Sequence, residues 1–156
     1  MRIEKFTFLE NVDRLAKIIF MNFFELKNQP DIEFTVEDIT STLNNPGLIG
    51  WFLLDNDGKI IGYLIGNLKG LGDGRHVYYI SYFYIVKKFR GNGVGKKMLL
   101  IAMDYINKIN IKFVMLISKI GSPAYKLYTK LGFLPDPLIV IRNNDYKLLV
   151  YYNNNF

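Results

Sequence analysis

Arg90-Gly91-Asn92-Gly93-Val94-Gly95 joins two segments of different periodicity. Before it runs Val77–Val86, VYYISYFYIV, aromatic and β-branched, which reads as a strand at the centre of a sheet. After it, Val94, Met98, Ile101, Ala102, Tyr105, Ile106 and Ile109 recur at helical spacing. Glycines at alternate positions let a backbone approach a ligand closely and point successive N–H groups into one concavity. The helix that follows adds its unbonded N–H groups and the positive end of its dipole. A bare tight turn would also use glycine, but Lys87, Lys88, Arg90, Lys96 and Lys97 flank this one. The segment therefore reads as a phosphate or pyrophosphate site.

Two common phosphate motifs do not fit. A Walker loop needs four residues between its first glycine and a Gly-Lys pair, then Ser or Thr. Gly91 and Gly95 have three between them, and Lys97 stands where the magnesium-binding hydroxyl belongs. A dinucleotide fingerprint needs its third glycine one position later and an acid some twenty residues on. Residues 110–118 contain no acid.

Upstream of this core, Ile3–Phe8 alternates and reads as a short strand. Val12, Leu15, Ile18, Ile19, Phe23 and Leu26 place an amphipathic helix over 11–28, which Pro30 ends. Thr35 with Asp38 has capping-box spacing and opens a second helix that stops before Asn45-Pro46-Gly47. Leu48–Leu54 and Lys59–Leu68 read as strands joined by the turn Asp55-Asn56-Asp57-Gly58. Downstream, Phe113–Ser118 is a strand and Pro123–Leu131 a helix. Leu138–Ile141 and Lys147–Tyr152 form a hairpin about Asn143-Asn144-Asp145. The order β-α-α-β-β-β-α-β-α-β-β implies an α/β (α+β) domain over 1–156, its central sheet mixed but mostly antiparallel, with about seven strands and helices on both faces.

Composition narrows the chemistry. The 156 residues include no cysteine and one histidine, His76. That excludes a thiolate nucleophile, a Cys-based zinc site and any multi-His metal site, so no metal is expected. No apolar run is long enough to span a bilayer, and the start lacks a secretory h-region. A soluble, cytoplasmic protein without a membrane partner is the expectation. The net charge of +6 is uneven: residues 1–86 carry −3 and residues 87–156 carry +9. The basic half suits an anionic ligand.

Arg90-x-x-Gly93-x-Gly95 after the strand Phe83-Tyr84-Ile85-Val86 resembles the Arg/Gln-x-x-Gly-x-Gly/Ala signature of the GNAT superfamily of N-acetyltransferases. A second block, Ala124-Tyr125-Lys126-Leu127-Tyr128-Thr129-Lys130-Leu131-Gly132-Phe133, is similar to that family's Ala-x-x-Leu-Tyr-x-Lys-x-Gly-Phe segment about thirty residues downstream. The element order also agrees. The resemblance implies transfer of an acetyl group from acetyl-CoA to a primary amine by direct attack in a ternary complex. It assigns Gly91, Asn92, Gly93, Val94, Gly95 and Lys96, with Arg90, to the coenzyme A pyrophosphate. Backbone groups of Phe83, Tyr84 and Ile85 would pair with the pantetheine arm as an added strand does. Tyr128 would give a proton to the departing thiolate, and an N–H near Ile85 would hold the carbonyl oxygen. Lys96, Lys97, Lys126 or Lys130 would meet the 3′-phosphate.

Three departures from the family pattern follow. Lys87 stands where proline is common. Gly121 replaces an asparagine that contacts the cofactor, leaving Ser122 as a substitute. No Asp or Glu lies in Val77–Val86 or Phe113–Ser118, where members often place a general base, so Asp73, His76, Glu33 or a water chain must serve. Glu25, Asp31, Glu33, Glu37 and Asp38 fall within fourteen positions, and the resemblance places them on the acceptor side. Such a rim favours a cationic acceptor, a polyamine or a basic peptide or protein amine. The expected partners are acetyl-CoA and this amine. The basic half is accounted for by the cofactor, so nucleic acid is not expected, and a homodimer is compatible with the sequence. A coenzyme A-binding module without catalysis, a sensor or interaction domain, is the alternative reading.

Overall fold

In the computed structural model, residues 1–25 and 35–153 are described, with Phe24 and Glu25 as backbone only. The strands are β1 (Arg2–Phe6), β2 (Leu48–Leu54), β3 (Ile60–Gly70), β4 (His76–Ile85), β5 (Phe113–Lys119), β6 (Leu134–Pro135) and β7 (Tyr146–Tyr152). The helices are α1 (Asp13–Glu25), α2 (Val36–Leu43), α3 (Val94–Lys108) and α4 (Pro123–Lys130). They build one seven-stranded sheet in the order β1-β2-β3-β4-β5-β7-β6. Every neighbouring pair is antiparallel except β4 and β5, which the α3 crossover makes parallel.

Local chemistry sets the element ends. The capping box at α2 is present in full: the Asp38 N–H donates to Thr35 Oγ1 and the Thr35 N–H to Asp38 Oδ2, both at 3.1 Å. At α4, Ser122 Oγ accepts from the Tyr125 N–H at 3.1 Å, and Pro123 fills a position whose N–H has no helical partner. Between β2 and β3, Asp55 Oδ1 accepts the N–H groups of Asp57 and Lys59, each at 2.9 Å.

Helices cover both faces. On one, Val12, Leu15, Ala16 and Ile19 of α1 and Ile39 and Leu43 of α2 are buried against Tyr63, Ile65, Tyr82 and Tyr84. On the other, Met98, Leu99, Ala102, Met103 and Ile106 of α3 pack with Trp51, Leu64, Tyr78, Ile80 and Leu116. Each such side chain contributes roughly 1.5–3 kcal/mol when fully buried.

In β4, Tyr78 and Ile80 belong to the α3 layer, yet Tyr82 and Tyr84 belong to the α1–α2 layer. Strict alternation would put all four on one side. A bulge separates them. Gly66 pairs with Ile80 and Ile65 with Tyr82, so Ser81 has no partner across the ladder.

One element differs from the sequence reading. The strand expected at Leu138–Ile141 is absent, and the hairpin partner of β7 is instead Leu134–Pro135, paired with Val150 and Leu149. Pro137 cannot donate to a ladder, and Asp136 Oδ2 takes the N–H groups of Leu138 and Ile139 at 3.2 and 2.7 Å, which turns the chain away. The part of the helix expected beyond Glu25 falls outside the described residues.

Candidate active site

The sheet opens between its two parallel strands. β4 and β5 are paired only at Val77–Phe113, Tyr78–Val114 and Tyr79–Met115, after which they separate. The cleft between them has a volume of about 640 Å³. Residues Ile80–Tyr84, Leu116–Lys119, Ser122–Ala124 and Tyr128 line it.

One wall is an open backbone edge. The Val86 N–H donates to Ile61 O at 2.9 Å, so alternation turns the main-chain groups of Tyr84 toward β3 and those of Phe83 and Ile85 into the gap. Phe83 and Ile85 are thus placed to pair with an extended ligand. Tyr84 contributes its ring, edge-on to Tyr63 at 5.7 Å and beneath the Arg90 guanidinium at 5.2 Å. Arg90 Nε donates to Ile85 O at 2.6 Å, which uses that carbonyl and fixes the loop to the strand end.

The glycine loop continues from this edge. Gly91 and Gly93 have φ of +84° and +81°, and neither has an atom near the place a Cβ would occupy. Gly93 caps α3. Asn92 Oδ1 takes the Val94 N–H at 3.2 Å and Gly93 O takes that of Lys97 at 3.1 Å. The N–H groups of Gly95 and Lys96 have no acceptor among the described residues and sit at the positive end of the helix. Gly95 differs from its companions. A Cβ there would lie 3.2 Å from Ile85 Cδ1 and 3.7 Å from Phe83 Cζ, so its lack of a side chain lets α3 pack on β4 and leaves the ligand side open.

Tyr128 is 7% exposed, packs against Phe133 at 5.6 Å and lines the cleft. Its hydroxyl makes no hydrogen bond among the described residues. Burial raises its pKa well above the ordinary phenol value, so it carries its proton at neutral pH.

The other candidates are dispersed. Asp73 is held by Arg75 through contacts of 2.8–3.2 Å, which depress its pKa. His76 starts β4 opposite Gly70 and is exposed. Neither lines the cleft, and Glu33 lies outside the described residues. Ser122, the proposed substitute at Gly121, is committed: its hydroxyl caps α4 and donates to Lys119 O at 2.8 Å. Lys96 and Lys97 are exposed on the first turn of α3, and Lys126 and Lys130 on α4. Of the acidic cluster, Glu37 and Asp38 are exposed on α2, and Asp31 and Glu33 lie outside the described residues. For Glu25 only the backbone is described. Among the described residues no group of His, Asp and Glu could hold a metal ion, and no helix is long and apolar enough to cross a membrane.

Sequence reasoning missed the far wall. Asn22, Phe23, Tyr63, Tyr79, Ser81, Tyr82, Ser118 and Tyr146 also line the cleft. Asn22 Nδ2 donates to the Tyr63 hydroxyl at 2.9 Å, and Phe23 meets Tyr82 edge-on at 5.9 Å. Burial raises the pKa of Tyr79 and Tyr82. The only signal for this wall was the run of rings in β4, whose facing depends on the bulge.

The family model of the acetyltransferase (GNAT) family matches residues 12–133, which include the splayed strand pair and the glycine loop. The chain belongs to this family. It is a GNAT N-acetyltransferase. No curated protein matches it in sequence. Solved structures share the GNAT fold. NAA60 of Arabidopsis thaliana, in complex with a bisubstrate analogue, aligns with a TM-score of 0.69 at 18% identity, covering 98% of this chain and 99% of that one. The NatC complex bound to Gag peptide and CoA gives 0.71 at 21%, covering 97% and 99%. The ribosomal-protein-S18-alanine N-acetyltransferase from Escherichia coli gives 0.68 at 15%, covering 97% and 94%.

Proposed function

We propose that this GNAT enzyme moves an acetyl group from acetyl-CoA to a primary amine by direct attack within a ternary complex. The supporting observation is the open strand edge at Phe83 and Ile85, which the chain continues through Arg90 on the cleft wall into the glycine loop. There the Gly95 and Lys96 N–H groups have no acceptor among the described residues, and the protonated Tyr128 hydroxyl is on the same cleft as Phe83. These residues fit coenzyme A, a long chain carrying amides at one end and a pyrophosphate at the other. When bound, acetyl-CoA supplies an activated acetyl group as a thioester. The β4 edge holds the chain extended, and the loop fixes the phosphates. Tyr128 gives its proton to the sulfur as the thiolate leaves, so that the thiolate does not re-add. The Ile85 N–H holds the acetyl oxygen. No described residue lining the cleft is Asp, Glu or His, and Asp73 and His76 lie away from it, so the proton of the amine leaves to Glu33 or through a water chain.

For the acceptor we infer a cationic amine, a polyamine or a basic peptide or protein amine. The acid-rich segment 25–38 supports this: Glu37 and Asp38 stand exposed at the first turn of α2, and the Asp38 charge acts on Tyr82 of the cleft wall. The test is turnover of labelled acetyl-CoA against a panel of cationic, neutral and acidic amines. Coenzyme A release matched by acetylated cationic amine is the expected result. Binding of coenzyme A with no amine acetylated would replace this reading with the non-catalytic module.

A further inference from the structure

Two loops far apart in sequence are tied together over the sheet. Arg75 lies in the turn between β3 and β4, where its carbonyl accepts the Leu71 N–H at 2.8 Å. Asp136 follows β6, and its N–H donates to Leu148 O at 2.9 Å. Arg75 Nη1 meets Asp136 Oδ1 at 2.6 Å and Nη2 meets Oδ2 at 3.0 Å, a two-pronged pairing. The Asp136 carboxylate is fully buried and also holds the Leu138 and Ile139 N–H groups. The rest of the Arg75 guanidinium is held by Asp73, and the group lies over the Phe113 ring at 5.5 Å.

This clasp covers a small cluster of its own. Val77, Met115 and Leu148 are buried there, with Leu71, Tyr79, Phe113, Ile141 and Val150 packed around them. Leu71 comes from the Arg75 turn and Ile141 from the segment that Asp136 starts. Tyr79 belongs both to this cluster and to the cleft wall. The cofactor side is built on a different cluster, which contains Ile85, Met98, Leu116, Tyr128 and Phe133. A buried ion pair adds little net stability over an apolar substitute, but its fork geometry fixes the groups it joins.

We propose that Arg75 and Asp136 are positioning residues for the acceptor: their clasp sets the place of Tyr79 on the cleft wall, through the cluster it shares with Ile141 of the Leu138–Ile141 segment. The inference rests on the acetyl-transfer reading above. It also predicts an asymmetry that a general stabilising role would not give.

The test uses Asp136→Asn, which leaves Arg75 paired with Asp73, and Arg75→Lys, which keeps a cation but loses the fork. Acceptor KM should rise about tenfold in Asp136→Asn and by less in Arg75→Lys, with kcat at saturation and acetyl-CoA Kd within about twofold of wild type. Amide exchange should quicken at Leu138 and Ile139 in the same variants. Faster exchange with an unchanged acceptor KM, an equal loss of acetyl-CoA affinity, or failure of both variants to fold would each overturn the proposal. If the wild-type enzyme acetylates no amine, the activity reading fails by itself. The clasp is then judged by NMR: Tyr79 signals must shift in Asp136→Asn while those of Tyr128 stay, and unmoved Tyr79 signals would overturn it.

Discussion

The two ends of the cleft are made of different material. At the end proposed for the cofactor the available groups are main chain: the β4 edge at Phe83 and Ile85 and the N–H groups of Gly95 and Lys96. At the end proposed for the acceptor they are side chains, Tyr63, Tyr79, Tyr82 and Tyr146, drawn from three strands. Main-chain sites restrict few residues: Gly91 and Gly93 hold φ of +84° and +81°, which favour glycine, and Gly95 leaves room for Ile85. Side-chain walls can be rebuilt with other residues on the same frame.

Substitution should expose the contrast most sharply at Tyr128, the side chain nearest to being shared by both ends. Tyr128→Phe removes only the hydroxyl, so kcat should fall about 10²-fold or more while acetyl-CoA affinity holds. Steady-state kinetics with calorimetry checks this, and an unchanged kcat would leave Tyr128 as packing for Phe133. Gly93→Val forces a β-branched residue to φ near +81° at the cap of α3. Strain of about 1–3 kcal/mol should weaken acetyl-CoA binding roughly 10–100-fold. If calorimetry instead finds full affinity, the main-chain account of the cofactor end fails.

The acceptor end should respond to charge. Glu33→Gln and Asp31→Asn should each raise the amine KM a few-fold, and added salt should do the same in wild type while acting less in the variants. A KM indifferent to both would remove the cationic acceptor and leave acetyl transfer standing. The smallest effect concerns acid stability. Arg75 holds the Asp136 carboxyl below its ordinary value, against the opposing effect of burial and with help from the Ile139 and Leu138 N–H groups. A carboxyl whose pKa is lower folded than unfolded stabilises the fold fully above the unfolded value. That stabilisation is lost as pH falls below about 4. The melting temperature should therefore drop more steeply in wild type than in Asp136→Asn between about pH 4 and pH 2, as measured by circular dichroism.

What was legible in the sequence follows the same division. The glycine loop, the Thr35–Asp38 capping box and the Asp55–Gly58 turn are local devices, and local devices leave local patterns. The order of strands followed from their periodicity. Leu138–Ile141 reads as a strand by composition, but Asp136 and Pro137 act on the backbone before composition can. The Arg75–Asp136 pair spans 61 positions, and neither residue has a neighbour in sequence that points to the other. The acceptor wall was hidden for another reason. Its rings were visible, but the face each one takes was not.

That reason is Ser81. A strand encodes inside and outside as a wave with a period of two residues, and one added residue shifts the wave by half its length. Everything before Ser81 in β4 is written in one phase and everything after it in the opposite phase. Removing that single residue would leave the composition of β4 almost unchanged. It would close the bulge and keep the addresses as they are, whereas pairing Ser81 into a regular ladder would exchange them: Tyr82 and Tyr84 would go toward α3, and Phe83 and Ile85 toward α1 and α2. The identity of residue 81 matters less here than its being counted, so in this strand length itself carries information.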